Sequence, residues 1–414
     1  MSAPPPTSTP GPLVWEFATA GRILFGPGTR RQLATAARAL GSRALLVTGR
    51  HLANDAAWAA LDIDLDPRAS TRFIVEGEPT CDTVRDGVRA YHAAACDIVI
   101  GIGGGSVLDG AKAIAALATN PGDPLDYLEV IGGGRPLVAT PAPCVAVPTT
   151  AGTGSEVTRN AVLGSLEHRR KASLRHPAML PRLAIVDPEL TLTLPPAVTA
   201  STGLDALTQV IEPYVSSRAT PLTDALCLEG IRRVARALRI AASAPGPASS
   251  GPALSGSASS GAVLLEARTD MSFASLLGGL ALANAGLGIV HGFAAPIGGM
   301  FPGPHGAVCA ALLPHGIATN LRALRARAPH HPAIERYRHI AVALTGDRGA
   351  SADDGVIAIA ALCADLQIPS LRTYGIGDEH VADVSHEAQR ASSMKANPIE
   401  LNDEELRATL HAAL

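Results

Sequence analysis

A chain of 414 residues, 47% of them hydrophobic, is long enough for two domains and apolar enough to give each a sizeable core. Only 17% of residues are charged, 3% are aromatic and the formal net charge is −3, so it lacks both the basic field and the stacking platforms of a nucleic-acid binder. No uninterrupted apolar run reaches the length needed to span a bilayer, which argues against a membrane partner.

Residues 1–16 are expected to form a disordered tail, because the stretch from Met1 to Pro12 is rich in Pro, Ser and Thr and carries no apolar signal core. Apolar runs at 22–25, 43–48, 72–75, 96–102, 145–148 and 184–186 read as strands, with helical spacing at 29–40, 55–61, 80–95 and from Val107 onward. That alternation predicts a Rossmann-like α/β domain over 17–195, its parallel sheet covered on both faces. Beyond Pro195-Pro196 the segments 197–215, 222–240, 268–285, 307–324, 334–344 and 355–366 are Ala/Leu-rich and helical, which predicts an all-α domain over 196–414. Within it, the Ala/Ser/Gly/Pro stretch 242–261 is expected to be a flexible surface insertion. Six scattered cysteines (Cys81, Cys96, Cys144, Cys227, Cys309, Cys363) form no CxxC pair, so buried free thiols in a reducing cytoplasm are expected.

The strand at 96–102 runs into Gly103-Gly104-Gly105-Ser106, and a helix opens directly afterwards. Glycines allow close approach of a ligand to the backbone, and the free N–H groups of a helix start favour an anion. The turn therefore reads as a phosphate cradle, although the same glycines also serve a plain tight turn. A second turn, Thr149-Thr150-Ala151-Gly152-Thr153-Gly154-Ser155-Glu156, follows the strand that ends at Pro148. Its hydroxyls suit a ribose or a carboxamide, and they equally suit turn capping.

With both turns in place, the chain resembles the iron-containing (group III) alcohol dehydrogenase family. The resemblance runs from Phe25-Gly26-Pro27-Gly28-Thr29 to Asn397-Pro398, through Asp109 and Lys112, Asp205-Ala206-Leu207-Thr208, Asn284-Ala285-Gly286, His291-Gly292 and Pro304-His305-Gly306. It implies a dehydroquinate-synthase-like dinucleotide-binding domain, a helical metal-binding domain and an active site in the cleft between them. The implied activity is that of an NAD(P)-dependent alcohol dehydrogenase or aldehyde reductase. In it a divalent metal (Fe2+ or Zn2+) polarises the oxygen of a small alcohol or aldehyde while hydride moves to or from the nicotinamide.

Carried over residue by residue, the resemblance assigns catalysis and metal binding to Asp205, His291 and His305. Gln209 stands four residues after Asp205, on the same helix face, where relatives have a histidine; its carboxamide is a neutral, weak ligand. Ala295 stands where relatives often have a proton-relaying histidine. The implied cofactor residues are Gly103, Gly104, Gly105, Ser106, Asp109, Thr149, Thr150, Thr153, Ser155 and Lys171. Gly49 replaces the aspartate that NAD-preferring relatives place after the strand at 43–48, and Arg50 follows it. Without that carboxylate a 2′-phosphate is not repelled, and Arg50 can pair with it, so NADP is expected to be accepted beside NAD. The resemblance also implies a homodimer or larger assembly. A metal-free maleylacetate-type reductase and a dehydroquinate-synthase-like lyase stay open as alternatives. The substrate pocket is expected near Phe301 and Pro302, with His386 a bystander and His315 structural.

Overall fold

The computed structural model describes residues 14–63, 65–165, 167–168, 170–243 and 258–414. Residues 1–13 of the expected tail and 244–257 of the expected insertion lie outside them. The strands are β1 (Ile23–Phe25), β2 (Ala44–Gly49), β3 (Ser70–Val75), β4 (Ile98–Gly103), β5 (Cys144–Pro148), β6 (Asn160–Ser165), β7 (Arg170–Arg175) and β8 (Leu183–Val186). The helices of ten residues or more are α1 (Cys81–Ala93), α2 (Gly105–Leu117), α3 (Pro196–Val215), α4 (Pro221–Ser243), α5 (Ala258–Ala285), α6 (Ile289–Met300), α7 (His305–Arg327), α8 (Ala333–Thr345), α9 (Ala352–Asp365), α10 (Val381–Arg390) and α11 (Asp403–Ala413).

Six strands form one sheet in the order β1-β8-β5-β4-β2-β3, every pair parallel. β4 is buried along its whole length, and its Ile-Val-Ile run fits a strand with apolar layers on both faces. One layer contains Leu45, Val99, Ala111 and Ile114; the other contains Leu33, Leu46, Ile100 and Ile185. From β2 the chain steps outward to β3 and then returns to the other side of β2 as β4. The winding direction thus reverses between β2 and β4, which opens a crevice at their carboxyl ends, where ligands of open α/β sheets bind. Gly49 and Gly103 end these two strands.

Among the described residues no strand follows Val186, and α3 to α11 enclose a separate apolar core around Leu207, Ile211, Phe293 and Leu313. No single described helix is long and apolar enough to cross a membrane. The pair Gly261–Ala285 and Ile289–Met300 passes on length and composition alone but bends by 97°, and Met271, Ala274, Ala281, Ile289, Phe293 and Ile297 of it pack inside this core.

Three sequence expectations need correction. β6 and β7 form an antiparallel hairpin that was not foreseen, outside the parallel sheet. Helix α6 was missed because Pro296, Gly298 and Gly299 read as breakers. The stretch expected to be an insertion, 242–261, is helical at both described margins, with α4 continuing to Ser243 and α5 starting at Ala258, and the rest of it lies outside the described residues.

Candidate active site and metal centre

Helix α3 carries Asp205 and Gln209 on one face, α6 carries His291 near its start, and α7 opens on His305. Their packing brings His291 Nε2 within 3.4 Å and His305 Nε2 within 3.8 Å of Asp205 Oδ1. Asp205 is 1% exposed and His291 6%. Buried polar atoms are almost always hydrogen-bonded. Yet Asp205 Oδ1, Gln209 Oε1 and His291 Nε2 are all buried without a hydrogen-bond partner among the described residues. Three orphaned donor atoms on neighbouring helices fit a bound cation better than they fit packing.

The electrostatics agree. Burial alone would raise the Asp205 carboxyl, but the imidazoles of His305 and His291 outweigh it and hold it below the ordinary carboxylate range. His305 is pushed up to about 9, first by the Cys309 sulfur, against burial and with help from Asp205.

A fifth side chain was missed by the sequence reading. Cys309, set aside above as a plain buried thiol, has its Sγ 3.7 Å from His305 Nε2. Its sulfur and the ligand atoms of Asp205, His291 and His305 all lie within 4.8 Å of one another. The available signal was its position one helical turn after His305. Glu212 was missed as well. Its Oε2 lies 2.7 Å from His291 Nδ1, and its Oε1 accepts from Val290 N at 2.7 Å. With Nδ1 turned to this carboxylate, Nε2 is the ring nitrogen that faces Asp205. Behind it, Asn397 Oδ1 accepts from Ile289 N at 3.1 Å and Asn397 Nδ2 donates to Asn320 Oδ1 at 2.8 Å, locking the start of α6.

The two glycine turns meet at the end of the sheet. A Cβ at Gly103 would stand 2.6 Å from Val107, one at Gly105 2.6 Å from Thr153, and one at Gly104 3.3 Å from Thr150. The glycines therefore let the second turn lie against the first. No side chain caps α2 at Gly104, and while Val107 N donates to Gly104 O at 3.0 Å, the N–H groups of Gly105 and Ser106 at the helix start suit an anion. Thr149 N donates to Gly103 O at 2.9 Å. Lys112, 1% exposed, binds the second turn from beneath by donating to Ser155 O, Thr158 Oγ1 and Asn160 O. Asp109 accepts from Ser155 Oγ and from Val162 N and pairs with Lys112. Its carboxylate is engaged by protein, which makes Asp109 a brace between the turns.

A cavity of about 900 Å³ runs from Gly105, Ser106, Thr153 and Ser155 to Gln209, His291 and His305. It joins the anion cradle to the metal cluster. Lys171 on β7 lines it, ion-paired with Glu78 and with its side chain only 13% exposed, so it faces the cavity and not bulk solvent. The hairpin is tied to the helical region by an Arg170–Glu387 ion pair at 2.7 Å. Gly49 lies against α2, with 3.5 Å between its would-be Cβ and Val107. Arg50 reaches Glu76 at the end of β3, 2.6 Å away and well exposed. Ala295, Pro296 and Met300 line the cavity, whereas Phe301 and Pro302 do not, and Phe301 instead packs edge-on against His380. His386, expected to be a bystander, stands at the cavity wall.

Comparison with known proteins fits this geometry. Residues 20–188 match the iron-containing alcohol dehydrogenase family, and residues 199–251 and 257–414 match the C-terminal part of the Fe-containing alcohol dehydrogenase family. The chain is 37% identical over 346 residues to 1,3-propanediol dehydrogenase of Klebsiella pneumoniae, covering 82% of this chain and 81% of that protein. A crystal structure of 1,3-propanediol oxidoreductase superposes with a TM-score of 0.83 at 34% identity, over 97% of this chain and 100% of the other. Sulfoacetaldehyde reductase from Bifidobacterium kashiwanohense, solved in complex with NAD+, superposes with a TM-score of 0.81 at 28% identity, over 97% and 99%. With its sheet, its glycine turns and its donor cluster all in the expected order, the chain belongs to the iron-containing alcohol dehydrogenase family and is an oxidoreductase acting on CH–OH groups.

Proposed function

We propose that the chain interconverts a small alcohol and its aldehyde with NAD or NADP, using a divalent metal held by Asp205, His291 and His305, with Gln209 as a weak neutral donor. The observation that carries this reading is the convergence of buried, unpartnered Asp205 Oδ1, Gln209 Oε1 and His291 Nε2. When bound, the metal supplies a Lewis acid for the substrate oxygen and the nicotinamide supplies the hydride acceptor or donor.

The chain's own residues do the rest. Gly103 to Ser106 and the uncapped start of α2 hold the pyrophosphate, and Thr149, Thr150 and Thr153 border the nucleotide. Lys112 and Asp109 keep the second turn at its distance from the first. Ser155 takes part through Asp109, to which its hydroxyl donates. Glu212 fixes the His291 tautomer. Lys171 adds positive charge to the cavity wall. Ala295 offers no proton acceptor, so the hydroxyl proton leaves through water or a ribose hydroxyl of the cofactor.

Gly49 leaves room for a 2′-phosphate, and Arg50 can exchange its exposed Glu76 partner for that phosphate. The metal-free reductase reading leaves the three orphaned atoms unexplained. The lyase reading has no support in relatives that are named dehydrogenases and reductases.

The test pairs metal content of freshly purified protein with NADH and NADPH oxidation across a panel of short aldehydes. Near one divalent metal per chain, activity abolished by a chelator and restored by metal, and use of both cofactors are the expected results. Arg50→Ala should raise KM for NADPH more than for NADH. Full activity in metal-free protein would overturn the metal assignment.

A further inference from the structure

We propose that Cys309 Sγ is the fourth protein ligand of the metal centre, in the place that Gln209 fills only weakly, and that it biases the site toward zinc over iron(II). The inference rests on the metal site proposed above and goes beyond it in donor set and metal preference.

Four protein donors in near-tetrahedral directions around one zinc, with Zn–N and Zn–O bonds of about 2.0–2.1 Å and a Zn–S bond of about 2.3 Å, are themselves separated by about 3.3–3.6 Å, and such an ion would take the substrate oxygen as a fifth neighbour. In this chain His291 Nε2 to Asp205 Oδ1 is 3.4 Å, His305 Nε2 to Asp205 Oδ1 is 3.8 Å, and Cys309 Sγ to His305 Nε2 is 3.7 Å. Three of the six separations thus lie close to the edge lengths of one coordination polyhedron, and the other three are within 4.8 Å. None is supplied by a flexible loop. Asp205 is on α3, His291 on α6, and His305 and Cys309 are one turn apart on α7. Cys309 is fully buried, and Asp205 Oδ1 and His291 Nε2 beside it have no hydrogen-bond partner among the described residues.

The chemistry points the same way. An Asp and three His, which the family resemblance implies, form a hard-to-borderline set; here the third imidazole is replaced in sequence by a carboxamide. A neutral amide oxygen binds a divalent ion weakly, whereas a thiolate binds zinc strongly and favours it over harder competitors. On coordination the S–H proton leaves to buffer and the S–metal bond takes its place, with no change of oxidation state.

X-ray absorption at the metal edge of the purified wild-type protein tests this without any variant. One sulfur scatterer near 2.3 Å beside nitrogen and oxygen neighbours is expected, at about the usual Zn–S length. A shell of nitrogen and oxygen alone, in protein with one metal per chain, would overturn the assignment of Cys309 while leaving the metal reading intact. Absence of any metal after reconstitution would instead sink the metal reading itself. In cobalt(II)-substituted protein a sulfur-to-metal charge-transfer band is expected that disappears in Cys309→Ala and Cys309→Asn but persists in Gln209→Ala and in Cys363→Ala. Persistence of the band in Cys309→Ala, or its loss in Cys363→Ala, would contradict the proposal. Zinc affinity, by competition with a chromophoric chelator, should fall by more than about 100-fold in Cys309→Ala, beyond what loss of an outer-shell partner costs. A fall equal to that of Gln209→Ala would also count against it.

Discussion

At the residue scale, the donor cluster is set by side chains from three helices that lie within a few ångströms of each other, with Asp205 Oδ1, Gln209 Oε1 and His291 Nε2 lacking a hydrogen-bond partner among the described residues. Glu212 is the group behind His291, and its removal isolates the effect of orientation. Glu212→Gln should lower metal affinity by about 10- to 100-fold, read by chelator competition, because the Nδ1 proton loses its carboxylate. An unchanged affinity would mean that helix packing alone orients the ring. Ala295 poses the opposite question, since it lines the cavity and offers no proton acceptor. Ala295→His should introduce a new ionisation into the pH profile of kcat, and an unaltered profile would show that protons do not pass that position. Asp205, Gln209, His291 and His305 were singled out by the family resemblance that their short motifs carry. Glu212 and Cys309 were not, because a glutamate two turns after Asp205 and a cysteine one turn after His305 become significant only when separate helices meet.

At the scale of elements, the decisive feature is the close approach of the two glycine turns. Gly105→Ala places a Cβ 2.6 Å from Thr153, so the turns must part. Overpacking of this kind costs about 1–3 kcal/mol. The KM for either cofactor should rise roughly tenfold or more, because a displacement of the cradle costs binding directly. Gly261→Ala, on an open face of α5, is the control and should leave KM unchanged. A normal KM in Gly105→Ala would show that the cradle sits elsewhere. The strands of the parallel sheet were legible because short buried Val/Ile runs between Gly and Pro punctuation are too brief for helices and too apolar for loops. The β6–β7 hairpin was not. Its second strand reads Arg-Lys-Ala-Ser-Leu-Arg, and only the alternation of buried Ala172 and Leu174 marks it as half-covered. Helix α6 was hidden for the opposite reason. Pro296 and two glycines lower its propensity, and burial of Ile289, Phe293 and Ile297 in the helical core overrides that.

At the scale of the molecule, the second glycine turn is also the point of contact between the sheet and the helices. Gly154 and Gly279 of α5 approach so closely that a Cβ on either would overlap the backbone of the other. Glu156, two residues on, is buried there, and burial pushes its carboxyl up to about 7, with only partial relief from Lys112. A carboxyl whose folded-state value is raised binds its proton more tightly in the native protein than in the unfolded chain. Its stabilising contribution is complete below its ordinary value of 4.5 and is lost as pH rises through about 7. Across that window the shift corresponds to about 3 kcal/mol. Denaturant unfolding from pH 5 to pH 8 should therefore show wild type losing stability relative to Glu156→Gln. Parallel curves for the two proteins would place the ionisation outside this window.

The sequence by itself determined the class of the molecule. Parallel-sheet strands and the two glycine turns are local patterns that follow from the residue types within a few positions, and Asp205, His291 and His305 were picked out by the family resemblance of their short motifs. Only the tertiary structure decided which atoms share a centre. Asp205 and Cys309 are 104 residues apart, and nothing local to either brings it beside the other. Their meeting depends on how α3, α6 and α7 pack around one core, a property of side-chain shape summed over three helices and not of any single segment.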